Sequence, residues 1–127
     1  MLTIDTNGII SINRGDTANI PIYINITQDK LTLVRYSLTE NDVLYVCVAE
    51  PLQKWEDALI KKVYASDDLN ENGDVVFHLD TLDTEYLAPG IYCYEAKLVT
   101  YDNRQVADRK ILSVSTVVPR KKFVIVE

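Results

Sequence analysis

Glycine is scarce in this chain, with four residues, none adjacent to another. That excludes the glycine-rich loops that cradle phosphates. Histidine is scarcer, since His78 is the only one. A Ser-His-Asp or Cys-His centre would have to be built on it, and no nucleophile motif stands beside it. The two cysteines, Cys47 and Cys93, with a single histidine make a structural zinc site implausible. Cations are outnumbered, 13 Lys and Arg against 19 Asp and Glu, giving a net charge of −6. Such a surface repels phosphates, so no nucleic-acid partner is expected. The apolar runs are too short to span a membrane. No apolar leader follows Met1, where Asp5-Thr6-Asn7-Gly8 is polar and turn-rich, so synthesis and assembly in a cytoplasm are expected. In that compartment Cys47 and Cys93 are expected to be reduced thiols.

Apolar residues are plentiful and alternate. The chain is 127 residues long and 47% hydrophobic, enough for one domain with a core and no staples. Ile20, Ile22, Ile24 and Ile26 alternate with Pro21, Tyr23 and Asn25, as in a strand with one buried face. Leu44, Val46 and Val48 repeat the pattern, as do Val75, Phe77 and Leu79, and then Tyr92, Tyr94, Ala96 and Leu98. A strand is predicted over 110–118 and a further short one over 123–126.

Turn chemistry separates these runs. Asn13-Arg14-Gly15-Asp16 parts an opening strand, Ile9 to Ile12, from the isoleucine strand. Asn70-Glu71-Asn72-Gly73-Asp74, Pro89-Gly90 and Asp102-Asn103 are further breaks, the last within a hairpin. Trp55 to Tyr64 admits a short helix or a loop followed by a strand from Leu59. The strand is favoured, because Val63 and Tyr64 suit a pleated surface. Thr81 to Leu87 reads as one helical turn capped by Thr81. The sum is an all-β antiparallel sandwich of roughly seven to eight strands, in a single domain over residues 1–127.

Few residues suggest chemistry. Asp68 to Asp74 has oxygen ligands at alternate positions and a glycine sixth, like the opening of a calcium loop. The twelfth position is Leu79 rather than a bidentate glutamate, so the loop is read as a turn using Asn and Gly for backbone reasons. Arg14-Gly15-Asp16 is read as a turn rather than an adhesion tripeptide. The sequon Asn25-Ile26-Thr27 lies in a strand and is expected to stay unmodified. Eight tyrosines are more telling. Tyr23, Tyr45 and Tyr64 fall in strands, on faces that either pack a sandwich or meet a partner.

Several stretches resemble small structural proteins of bacteriophages and prophages of Gram-positive gut-type bacteria. They are Ile9 to Thr17, Asn41 to Tyr45, Ala58 to Lys62, Asn72 to Val76, Asp83 to Tyr92, and the closing Phe123-Val124-Ile125. Over nearly its whole length the chain is similar to the immunoglobulin-like N-terminal domain of baseplate upper proteins. It is also similar to short virion proteins made of that domain alone. The resemblance implies an immunoglobulin-like sandwich in a phage particle, contacting other subunits, with no catalytic residues. True immunoglobulin domains carry Tyr-x-Cys in a penultimate strand, whereas Tyr92-Cys93-Tyr94 places the cysteine one position early, on the other face. No bridge is therefore carried over. Tyr92 is expected to act as a corner tyrosine, bonding back to the 81–87 turn.

The function expected is that of a non-catalytic virion structural subunit of tail or baseplate, or else a head accessory protein. Its partners would be other virion proteins and copies of itself, with no cofactor, metal, membrane or small-molecule substrate. Interface residues are expected at Tyr23, Tyr45, Trp55, Tyr64, Arg120, Lys121, Lys122 and Phe123, with the C-terminal strand pairing to a neighbour. The alternative is a module binding host cell-surface glycans through Trp55 and tyrosines on one open face.

Overall fold

The structure, a computed structural model, describes residues 2–27 and 33–127. The fold is all-β. The strands are β1 (Thr3–Ile4), β2 (Ile10–Asn13), β3 (Ala18–Ile22), β4 (Asn25–Thr27), β5 (Leu33–Arg35), β6 (Asp42–Ala49), β7 (Ile60–Tyr64), β8 (Val75–Leu79), β9 (Gly90–Tyr101) and β10 (Ile111–Val126). Seven of them have four residues or more. One short helix, α1 (Thr81–Glu85), precedes β9.

The larger sheet has the order β1-β2-β10-β9-β6-β7. β3 and β8 form a second, two-stranded sheet, and β4 pairs with β5. The run β10-β9-β6-β7 is the arrangement of the larger sheet of an immunoglobulin variable-type domain. Among the described residues one pairing is not antiparallel: β2 runs parallel to β10, with Phe123 opposite Ile10 and Ile125 opposite Ile12.

Alternation dictates the core. Ile20 and Ile22 from β3, and Val75, Phe77 and Leu79 from β8, face Ile10, Ile12, Leu44, Val46, Val48, Tyr92, Tyr94, Phe123 and Ile125 of the larger sheet. Each wholly buried member contributes about 1.5–3 kcal/mol of transfer free energy. The isoleucine run is broken at Tyr23–Ile24, which separates β3 from β4. Ile24 is buried with the core, and the Ile26 side chain lies outside the described residues.

The outer face of β6 is buried too, contrary to a one-faced pattern. Val43, Val99 and Tyr101 form a second cluster, against which Tyr45 and Trp55 pack. The segment after β6 folds back as a 3₁₀ turn, Trp55–Asp57, before β7 starts at Ile60. The strand reading of 59–64 therefore holds.

Three local expectations are corrected. Lys110–Val118 and Phe123–Val126 are one strand, Ile111–Val126, whose register against β9 shifts between Thr116 and Val118 and again between Val118 and Lys121. Pro119 has no N–H to give a ladder, and those irregularities accommodate it. The N-cap of α1 is Asp80 rather than Thr81, its backbone N–H donating to the Asp83 carboxylate at 2.7 Å. The corner bond of Tyr92 is made to the Ala88 carbonyl at 2.7 Å, just past the 81–87 turn.

Candidate assembly interface

The expected contact residues divide among several places. On the outer face of the larger sheet, Tyr45 of β6 meets Trp55 with ring centroids 5.4 Å apart and planes tilted by 51°. The Tyr45 and Tyr101 hydroxyls lie 2.9 Å apart. Burial, then the bond to Tyr101, pushes the Tyr45 phenol up to about 12. Tyr64 sits on the opposite, inner face, and its hydroxyl accepts the His78 backbone N–H at 3.0 Å. Burial pushes its phenol up as well. Tyr23 lies at the far end of β3, exposed, with the Arg35 guanidinium 4.4 Å from its ring centre.

The basic cluster is split by the pleat. Arg120 reaches across β9 to the buried Glu95 at 2.6 Å and to the Pro51 carbonyl at 3.0 Å. Lys121 lies against Gly8, at the rim of a cleft of about 340 Å³ shared with Ile20, Tyr23, Tyr94 and Val118. Lys122 is exposed. Phe123 is removed from the interface set: it is wholly buried, edge-on to Tyr94 at 6.4 Å. The C-terminal segment is also no free strand, since residues 123–125 pair with β9 on one side and residues 123–126 with β2 on the other. Arg14 locks it further, bonding Val126 through its backbone and Glu127 through its guanidinium, at 2.7 and 2.6 Å.

What sequence reasoning missed is the first half of β10. Ile111, Leu112 and Val114 are 60, 66 and 49% exposed. From Ile111 to Val118 the strand pairs with β9 alone among the described residues, because β2 reaches only 123–126. The far edge of this stretch thus presents backbone groups and apolar side chains together. A signal was present in the run Ile-Leu-Ser-Val-Ser-Thr-Val-Val, which has no charge over eight residues of a chain that is 25% charged.

Several polar groups outside this edge are engaged internally. Asp42 is fully buried and accepts from the Thr39 N–H at 2.8 Å, the Thr100 hydroxyl at 2.6 Å and the Tyr36 hydroxyl. Burial alone would raise its pKa. The bonds from Thr100, Tyr36 and Thr39 outweigh burial and hold the carboxyl below its usual range. In the 68–74 loop, Asn70 Oδ1 accepts the backbone N–H groups of Asn72 and Asp74, and Gly73 takes φ +79°. Its asparagine and glycine thus shape the backbone. Gly15, at φ +84°, does the same between β2 and β3. His78 is exposed, its ring nitrogens 2.6 Å from Asn19 Oδ1 and Asp80 Oδ1.

No family model, curated protein or solved structure matches the chain.

Proposed function

We propose that this chain is a non-catalytic structural subunit of a bacteriophage virion, in the tail or baseplate, that works by docking preformed surfaces onto neighbouring subunits. The reading starts from the sequence resemblance to virion immunoglobulin-like domains. The observation that carries it further is the apolar edge at Ile111–Val114, which pairs with β9 alone among the described residues, a surface suited to protein contact. Internal engagement of polar groups also favours it: the His78 ring bonds Asn19 and Asp80, and the buried carboxylates of Asp42 and Glu95 serve Thr100 and Arg120.

The glycan-binding alternative is less well supported. A sugar platform needs flat, open aromatic rings, and Trp55 is tilted against Tyr45 and partly covered.

Mass spectrometry of purified particles, with immunogold labelling, tests the proposal. The chain is expected in intact virions, with gold at one location on the tail. Its absence from washed particles would overturn the reading.

A further inference from the structure

The open edge of β10 has three properties that together describe its occupant. First, it offers main-chain hydrogen bonds. Ile111 to Val118 pairs on one side only among the described residues, and its register with β9 is unbroken from Ser113 to Thr116. Unsatisfied strand edges recruit extended chain rather than helices or loops.

Second, the edge is apolar and protected at one end. Ile111 and Val114 lie on the outer face in line with Tyr101 and Val99, extending the second cluster to the sheet border. Pro119 and the register shifts around it end the regular ladder beyond Thr116. The usable stretch is therefore short, about five or six residues at a strand's usual rise.

Third, the edge is bracketed by cations. Residues 109–122 carry five Lys and Arg and no Asp or Glu, in a chain whose net charge is −6. Arg120 is engaged by Glu95, and Arg109 lies over the Tyr101 ring at 4.1 Å. Lys110 and Lys122 remain exposed, one beyond each end of the edge.

This charge pattern argues against a second copy. Antiparallel self-pairing of Ile111 with Val118 sets Lys110 opposite Pro119 and Lys122 opposite Ala107, so neither exposed lysine gains a carboxylate. In-register parallel pairing stacks each cluster on its own image. Like charges directly opposite destabilise a strand pair.

We infer that the Ile111–Val118 edge accepts, by strand addition, a short extended segment of another protein whose apolar core is flanked by carboxylates at both ends. The inference deepens the reading of the chain as an assembly subunit by giving the chemistry of what docks on it.

Three blocked synthetic peptides test it. One has an alternating valine–threonine core between glutamate pairs. The second has the same core between lysine pairs. The third is the glutamate peptide with alternate amides N-methylated, which removes one edge of main-chain donors. Each is titrated into the ¹⁵N-labelled full chain and followed by NMR.

The glutamate peptide is expected to move the amides of 111–118 most, and to bind about tenfold tighter than the lysine peptide at low salt. That difference should collapse at high salt. The N-methylated peptide should not bind. The double variant Lys110→Glu, Lys122→Glu changes only exposed side chains and should reverse the peptide preference.

Equal affinity of the two flanked peptides would overturn the inference. So would undiminished binding of the N-methylated one, or the largest shifts lying away from 111–118. No binding by any peptide at millimolar concentration would overturn it too. Sedimentation of the chain alone decides the remaining occupant: a dimer that Val114→Lys dissociates would make a second copy the partner and sink the proposal. Peptide binding does not depend on where the chain resides, so its failure is separable from absence in virions.

Discussion

The hydroxyls of Tyr45 and Tyr101, on adjacent strands of one sheet face, stand 2.9 Å apart and share a proton donor between them. The pair closes the second cluster, with Trp55 on one ring and Arg109 over the other. Burial and this bond oppose ionisation of Tyr45, raising it from 10.0 to about 12. The folded value is the higher one. The stabilisation is therefore complete below the unfolded value and is lost as pH climbs from 10.0 towards 12. Alkaline unfolding followed by circular dichroism should show wild type losing stability across that window. Tyr45→Phe should show a shallower alkaline loss, and at neutral pH it should cost about 1 kcal/mol for the missing bond.

Asp42 gives the opposite sign. Its folded pKa is below the ordinary value of 3.8, so its contribution is complete above that value and lost as pH falls through the folded one. Removing the carboxylate strands Thr100, Tyr36 and the Thr39 N–H. Asp42→Ala should lower the unfolding free energy by about 2–4 kcal/mol at neutral pH in urea melts. The gap between wild type and Asp42→Asn should narrow in acid below that value.

The cysteines should differ in reactivity. Cys47 is buried, and burial pushes its thiol from 9.0 up to about 11, whereas Cys93 is half-buried. That rise leaves about a hundredfold less thiolate at mildly alkaline pH. A chromogenic disulfide reagent should therefore label one thiol of the native chain quickly, and Cys93→Ser should abolish that phase. Both thiols are free, and the register makes them diagonal neighbours, with Cys93 opposite Ala49 and Cys47 opposite Glu95. At about 7–8 Å such a pair is too far apart to bridge without backbone movement. Mild oxidants should leave the native chain without an internal disulfide, as read by intact mass.

Phe123 separates a core role from a contact role. It is wholly buried between Ile10 and Tyr92 of the neighbouring strands. Phe123→Ala should cost about 3–5 kcal/mol in chemical denaturation. By contrast, Val114→Lys, on an exposed edge, should stay within about 0.5 kcal/mol of wild type.

Much of the fold was legible because its strands alternate. Ile20 and Ile22, or Phe77 and Leu79, announce one buried face by spacing alone, and Gly15 and Gly73 mark turns that need positive φ. Tertiary relationships were not legible. Whether Phe123 faces a partner or a core depends on β2 lying beside it, a pairing no local pattern encodes. The two-faced burial of β6 needed the fold-back of Trp55. The apolar edge was visible as a run of residues, but its exposure follows from β2 covering only the last four residues of β10.

That parallel pairing also bears on how the domain carries load. Ile10 lies opposite Phe123 and Asn13 opposite Val126, so the two strands lie side by side and point the same way. Tension entering before β2 and leaving after β10 pulls them lengthwise past each other. The rungs of this ladder then strain together instead of opening one at a time like a zipper, and the Arg14–Glu127 contact lies at the end of the same seam. A domain clasped in this way resists stretching along its chain more than peeling across it.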